Sequence, residues 1–309
     1  MTTYGVVVPT YHRPDALAAC LEALAGQHLA PDAVVVVTRP EDRAAAGVAA
    51  MAPLHCTVVE LDEPGVLAAM VAGARATTTD VVCFTDDDAV APPTWLAQIA
   101  QVLGASTTVG AVGGRDVLID PDGATRNERR TADVGRTTWF GRHIGNHHRG
   151  AGPPRDVEFL KGVNAAYRRQ ALGLPVGLRG AGAQAHFEVA AGRFARERGW
   201  RLVYDPELAV EHHPAPRHGA DQREGPTGQA VSDAAYNMVL AIGGLRGLIR
   251  VAYATVVGDR GAPGVLRAAF ALVQGDLATA RRLGPSMRGS AAGGWALLRG
   301  RGVRYETFA

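Results

Sequence analysis

Four short apolar runs, Gly5-Val6-Val7-Val8, Val34 to Val37, Thr57 to Leu61 and Val81 to Thr85, punctuate the first part of the chain. Each is too short for a helix and rich in β-branched residues, so each reads as a buried strand. Between them the apolar spacing changes to that of helices. After Pro9-Thr10 the positions Asp15, Leu17, Cys20, Leu21 and Leu24 follow a helical period with Asp15 as the expected N-cap, and Val66 to Ala76 reads as a second helix. Strand and helix in alternation predict a Rossmann-like α/β fold, a mostly parallel central sheet with helices on both faces. Ligands of such sheets bind beyond the carboxyl ends of the strands. The loops at Pro9 to Pro14, Thr38 to Arg43, Leu61 to Gly65 and Asp86 to Asp88 should therefore share one rim.

That rim has an unusual charge. Asp86, Asp87 and Asp88 follow the fourth strand directly, and three adjacent carboxylates where a buried strand surfaces repel one another unless a cation or a hydrogen-bonding ligand meets them. One helix cap would need fewer acids. A dinucleotide fold is excluded, because Pro9-Thr10-Tyr11-His12-Arg13-Pro14 stands where a glycine cradle for pyrophosphate would follow the first strand. Phosphate must be met otherwise, and Mg²⁺ or Mn²⁺ held by Asp88 is the candidate, since these ions combine one or two carboxylates with phosphate oxygens and water.

Farther along, a fifth strand is expected over Val109 to Gly113, then a polar, irregular stretch from Arg115 to Pro154 that reads as a functional loop or insertion. Regular pattern resumes at Phe159 to Tyr167, followed by a helix from about His186 to Arg198 and a strand at Arg201 to Tyr204. A linker rich in Pro, Gly and His runs from His213 to about Gly228, and Ser232 onward reads as helices broken by Gly and Pro. The 309 residues, 47% of them hydrophobic, suffice for a large core. A net charge of +2 argues against nucleic acid as the partner of the whole chain, while Cys20, Cys56 and Cys83, widely spaced and in apolar surroundings, fit neither a disulfide framework nor a zinc ribbon. With no secretory leader ahead of the first strand, the expected location is the cytoplasm.

The opening V-V-V-P-T-Y-H-R-P, the strand ending F-T-D-D-D-A, the segment from Lys161 to Arg169 (K-G-V-N-A-A-Y-R-R), and the stretch from Arg198 through Pro206 and Val210 to His212 occur in an order that resembles family 2 glycosyltransferases of the GT-A fold. The resemblance covers roughly residues 4 to 215 and is weak beyond. It implies a GT-A glycosyltransferase domain at residues 1–228, with a nucleotide-binding half at 1–115 and an acceptor and catalytic half at 116–228, and a helical C-terminal region at 229–309.

Carried onto this chain, the family pattern implies that Pro9, Thr10 and Arg13 line the nucleotide pocket with Asp42 near the base. Asp86 and Asp87 would face base and ribose, and Asp88 would hold the Mn²⁺ or Mg²⁺ that bridges the donor diphosphate. Lys161 and Asn164 belong to the segment that turns under the donor sugar, and His212 would close over the diphosphate or complete the metal shell, a nitrogen donor that suits Mn²⁺ better than Mg²⁺. The resemblance also implies inversion by single displacement, with a UDP-sugar as the leading donor and a carboxylate base about eleven residues before Gly199. Counting back gives Glu188, where Phe187-Glu188 replaces the family's Glu-Asp pair; Glu158 and Asp156 are lesser candidates. The acceptor, in glycan, glycolipid or natural-product biosynthesis, is not indicated.

Two other readings compete. A non-catalytic nucleotide-sugar or glycan binding module takes support from the altered Glu-Asp pair, whereas a sugar nucleotidyltransferase would need a glycine-rich signature that is missing after the first strand. His143, His147 and His148 have zinc-like spacing, but Gly141 to Gly152 lacks the helix signals and further ligands of a zinc site, and with Trp139, Phe140 and Arg142 the segment reads better as an acceptor-facing loop. From Arg246 to the end, ten arginines face Asp259, Asp276 and Glu306. Arg246 and Arg250 make a spanning helix costly, so this region is expected to be either a peripheral contact at the inner face of the membrane or a lid or homodimer element.

Overall fold

A computed structural model describes residues 1–126, 128–180, 182, 184–215 and 228–308. The Pro, Gly and His linker expected up to Gly228 falls largely outside the described residues. The chain opens with β1 (Tyr4–Pro9), α1 (Pro14–Ala25), β2 (Ala33–Thr38), α2 (Arg43–Met51), β3 (Cys56–Glu60), α3 (Val66–Ala76) and β4 (Val81–Thr85). Then come the short β5 (Ala89–Val90), α4 (Trp95–Gly104) and the long β6 (Val109–Leu118). Two brief hairpin strands, β7 (Arg136–Thr137) and β8 (His143–Ile144), precede β9 (Arg155–Val157), β10 (Asn164–Arg168) and β11 (Gly173–Val176). After these lie α5 (Phe187–Glu197), β12 (Arg201–His212), α6 (Gly228–Ile242), α7 (Gly244–Val256), α8 (Val265–Val273), α9 (Leu277–Arg281), α10 (Leu283–Leu298) and β13 (Arg304–Thr307).

The main sheet runs β3-β2-β1-β4-β10-β6-β12-β5, with β9 also paired to β12. β3, β2, β1 and β4 are parallel, β10 lies antiparallel between β4 and β6, and β12 is parallel to β6. The valine runs explain the layering. Successive side chains of a strand face opposite ways, so Val6, Val8, Val34, Val36 and Cys83 pack under α1, α2 and α4, while Val7, Val35, Val37, Val82 and Phe84 pack under α3 and α5. Each fully buried side chain of this kind is worth about 1.5–3 kcal/mol, which ties the strand pattern to both helical layers at once.

Several boundaries differ from the sequence expectation. Arg13 rather than Asp15 occupies the N-cap of α1; Pro14 takes the first helical turn, where its missing N–H costs nothing, and Asp15 follows as the acidic residue of that turn. β6 runs on to Leu118, so part of the stretch expected to be irregular is strand. The last strand, β13, returns to pair antiparallel with β11, and α6 packs on α5 through Phe159, Val189, Met238 and Ile242.

Candidate active site

The register of three strand ends builds the site. His212, the last residue of β12, pairs with Ala89 of β5 and with Leu118 of β6, which places its imidazole beside Asp88. Asp116 lies opposite Val210 and, two residues from Leu118, shares a strand face with its neighbour's alternate positions. The result is that His212 Nε2 stands 3.3 Å from Asp88 Oδ1 and Nδ1 stands 3.5 Å from Asp116 Oδ2. Lys161 forms an ion pair with the same Asp116 oxygen. One side chain of each of Asp86, Asp88 and His212 offers a ligand atom within 4.8 Å of the others.

Arg13 closes the other flank. Its guanidinium bridges Asp87 Oδ1 at 2.9 Å and Asp88 Oδ2 at 3.0 Å, and the backbone N–H of Ala215 donates to the same Asp88 oxygen at 3.0 Å. These contacts set the protonation states. Burial works to raise the Asp88 carboxyl, but hydrogen bonds from His212 and Ala215 and the charges of His212 and Arg13 outweigh it and hold it below the usual range. Asp116 follows the same balance, with His212 and Lys161 opposing burial. Burial raises Asp87 to about 7 against the pull of Arg13, and burial together with the charge of Asp88 raises Asp86. For His212 burial acts downward, yet its bonds to Asp116 and Asp88 raise it to about 9.

A cleft of about 230 Å³ opens over this cluster. All four loops expected to share a rim reach it, through Pro9, Thr10, Tyr11 and Arg13, Thr38 and Arg39, Leu61, Glu63 and Gly65, and Asp86 and Asp88; Lys161, Glu188 and His212 line it too. Three predicted residues do not form its wall. Asp42 is buried as the N-cap of α2, accepting from the Ala45 N–H at 3.1 Å and from the His12 N–H. Asp87, fully buried, braces Arg13 from behind. Asn164 is tied into the sheet, accepting from Trp95 Nε1 at 2.9 Å and donating to the carbonyls of Leu208 at 2.8 Å and Arg115 at 3.2 Å.

Neither lesser base candidate lines the cleft. Glu158 accepts from the N–H and hydroxyl of Thr137 and from Arg246, and exposed Asp156 pairs with Arg201 at 2.8 Å. Glu188 sits in the first turn of α5. His186, just before it, has φ +71°, and His12 beside Arg13 has φ +54°, so two non-glycine residues in the left-handed region flank the site, a strain common where function dictates geometry. Of the loop histidines, His147 is buried against the Phe159 carbonyl, His143 stacks on the Phe159 ring and His148 pairs with Glu128. Trp139 is 73% exposed, edge-on to Phe140, which packs on Tyr253 of α7. The sequence reading missed Asp116, because no local pattern distinguishes one acid in a polar stretch.

Residues 2–224 match the family model described as glycosyltransferase like family 2. The chain belongs to this family. As a family 2 glycosyltransferase it shares its fold with solved proteins of low sequence identity. A mannosyltransferase from Pyrobaculum calidifontis, solved with GDP-Man and Mn²⁺, superposes with TM-score 0.53 at 20% identity over 94% of this chain and 86% of that one. A mycobacterial protein gives 0.51 at 17% identity, over 77% of this chain and 75% of that chain. GalNAc-T7, solved with UDP, GalNAc and Mn²⁺, gives 0.54 at 15% identity over 78% of this chain and 48% of its own. No curated protein sequence matches the glycosyltransferase significantly.

The Asp86, Asp88 and His212 cluster is chemically suited to a divalent cation. Two carboxylates and an imidazole form a mixed oxygen and nitrogen donor set, and Asp116 Oδ1 is a buried carboxylate oxygen without a hydrogen-bond partner. A further positive charge at this place would offset an acid excess that Arg13, Lys161 and His212 now share.

Proposed function

We propose that this glycosyltransferase moves a sugar from a nucleoside diphosphate sugar, with UDP-sugars the leading donor class, to an acceptor hydroxyl with inversion and with help from Mn²⁺ or Mg²⁺. The observation that carries the reading is the convergence of Asp86, Asp88 and His212 on the cleft wall that also presents Arg13, Lys161 and Glu188. The nitrogen donor favours Mn²⁺, and the ligands of the two neighbours solved with nucleotides, GDP-Man and UDP, each with Mn²⁺, support the class. When bound, the cation supplies the charge that stabilises a departing diphosphate.

The chain's own residues divide the remaining work. Arg13 fixes positive charge beside Asp88 without needing to reorganise. Pro9 and Thr10, at the end of β1, and Tyr11 with the Arg39 guanidinium 5.5 Å from its ring centroid offer the nucleoside a wall of mixed polarity. Glu188 takes the acceptor proton, being the carboxylate of the cleft that projects from α5 rather than from the Asp86–Asp88 turn. We place the reaction in the cytoplasm, which suits the free thiols of Cys20, Cys56 and Cys83.

Calorimetry with Mn²⁺ and UDP, followed by donor turnover in wild type and Glu188→Gln, tests the reading. We expect UDP binding that requires the metal, and turnover at least about 10²-fold lower in the variant. Equal turnover would remove Glu188 from the mechanism. Because Phe187-Glu188 departs from the family's acidic pair, a non-catalytic nucleotide-sugar binding module is the second reading, and tight UDP binding without turnover toward any acceptor would favour it.

A further inference from the structure

The last helices carry their side chains inside out. In α10 the buried positions are small residues, Ser286, Gly289, Ser290, Gly293, Gly294 and Ala296. A Cβ on Gly289 would lie 2.0 Å from the Ser232 carbonyl oxygen of α6, and one on Gly293 would lie 2.9 Å from Val239 Cβ, so the two helices touch nearly backbone to backbone. The large apolar side chains of α10 face outward instead. Met287, Trp295 and Leu298 are 37%, 57% and 66% exposed, at spacings of eight and three residues that keep them on one face. α8 repeats the arrangement, burying Ala268 and Ala271 while Leu266, Phe270 and Val273 stand 60%, 62% and 86% exposed.

Helices on a water-facing surface ordinarily do the opposite, turning apolar residues to the core and polar ones outward. An outward stripe of Leu, Phe, Val, Met and Trp is at home in an apolar medium. Its surroundings are basic. Between residues 260 and 301 the chain carries seven arginines and Asp276 as the one acid, and the Arg299 guanidinium lies 4.5 Å from the Trp295 ring centroid. No described helix is long and apolar enough to cross a membrane. With 16 residues, α10 spans about 24 Å and has its inward face committed to α6.

We propose that the outer faces of α8 and α10 dock this protein on an anionic lipid bilayer surface, with the apolar stripes in the boundary between headgroups and acyl chains and the arginines on lipid phosphates. The charge pattern selects this occupant over a second copy of the chain. Pairing two such faces would bring together Arg267 and Arg288 of these helices and the flanking Arg282 and Arg299 from both copies, a like-charge juxtaposition. The outer faces of α8 and α10, nine and 16 residues long, measure about 13 Å and 24 Å by about 10 Å, together less than half of the roughly 800 Å² per partner of a stable interface. A bilayer needs no matching surface. The docking stands independently of the transfer reaction, since its test reads neither donor nor acceptor.

Sedimentation of the full chain with phosphatidylcholine vesicles, with and without phosphatidylglycerol, decides it. Partition to the anionic vesicles should be at least about tenfold stronger and should weaken as salt is raised. A Phe270→Asp, Val273→Asp double variant should lose binding about tenfold or more while keeping the wild-type circular dichroism. In Trp139→Phe, which leaves Trp295 as the most exposed indole, tryptophan emission should shift to the blue when anionic vesicles are added; this readout stands even if the double variant does not fold. Wild type that stays in the supernatant with every vesicle, equal partition to neutral and anionic vesicles, or an unshifted emission would overturn the proposal. So would a wild-type dimer in sedimentation velocity that the double variant splits.

Discussion

Asp116 accepts from both ends of the cation cluster, through Lys161 and through the Nδ1 side of His212, and a carboxylate behind a ligating imidazole fixes ring orientation and raises basicity. Asp116→Asn should therefore weaken Mn²⁺ binding by about 10–100-fold, read by calorimetry, with the fold intact by circular dichroism. Asn164 should behave in the opposite way. Its side chain makes three hydrogen bonds, to Trp95, Leu208 and Arg115, so Asn164→Ala should cost about 1–3 kcal/mol in urea unfolding by leaving buried partners unpaired, while UDP affinity in the presence of Mn²⁺ changes less than about twofold. The pair shows what a motif can and cannot say about single residues. The Asp86–Asp88 turn was legible because three adjacent acids have no cheap structural explanation. Asn164 was readable only as a member of a pattern, its partner Trp95 lying 69 residues away; Asp42 caps α2 locally through the Ala45 N–H, but its tie to His12, 30 residues away, leaves no local trace.

At the scale of elements, helices that rest on glycine are the vulnerable ones. Gly289→Ala would set a Cβ 2.0 Å from the Ser232 carbonyl, whereas Gly284 in the same helix has nothing within 4 Å. The first substitution should destabilise by about 1–3 kcal/mol through overpacking. The second should leave stability unchanged or raise it by up to about 1 kcal/mol, and thermal melts of the two variants side by side check the contrast. Elements were legible where apolar periodicity was unbroken: β4 and α3 occupy the expected residues, Val81–Thr85 and Val66–Ala76. They were illegible where small or polar residues interrupt a strand. Gly113-Gly114-Arg115-Asp116 sits inside β6, and the glycines are there because a Cβ on Gly113 would lie 2.6 Å from the Asn164 carbonyl oxygen of β10 and one on Gly114 only 1.5 Å from that of Leu208 in β12, a tertiary demand that the chain's local pattern does not announce.

For the whole molecule, two histidines of one loop, His147 buried and His143 half-buried, contribute to the response to acid. Burial lowers His147 and His143 to about 4 from 6.5. The unfolded chain takes up these protons near pH 6.5, the folded one only near pH 4, so their contribution to stability is complete above pH 6.5 and is lost as pH falls from there toward 4. For His147, 3% exposed, the loss over the window is on the order of 3 kcal/mol. Melting temperature should fall across this range in wild type and fall less steeply in His147→Gln; parallel slopes would exclude His147 as the cause. Connectivity sets a second global property. β10 lies between β4 and β6 although it is made after both, and β11 (Gly173–Val176) waits for β13 (Arg304–Thr307), far later in sequence. Pairings so distant in sequence form slowly. A ribosome delivering this protein can release β1 to β4 as a paired four-stranded unit, but β6 has no neighbour on that side until Arg168 has emerged, and β11 has no partner until Thr307 has. The sheet that ends in the Asp86–Asp88 turn is thus an early product of translation, whereas β11, against which the Glu188 helix α5 packs, is paired much later.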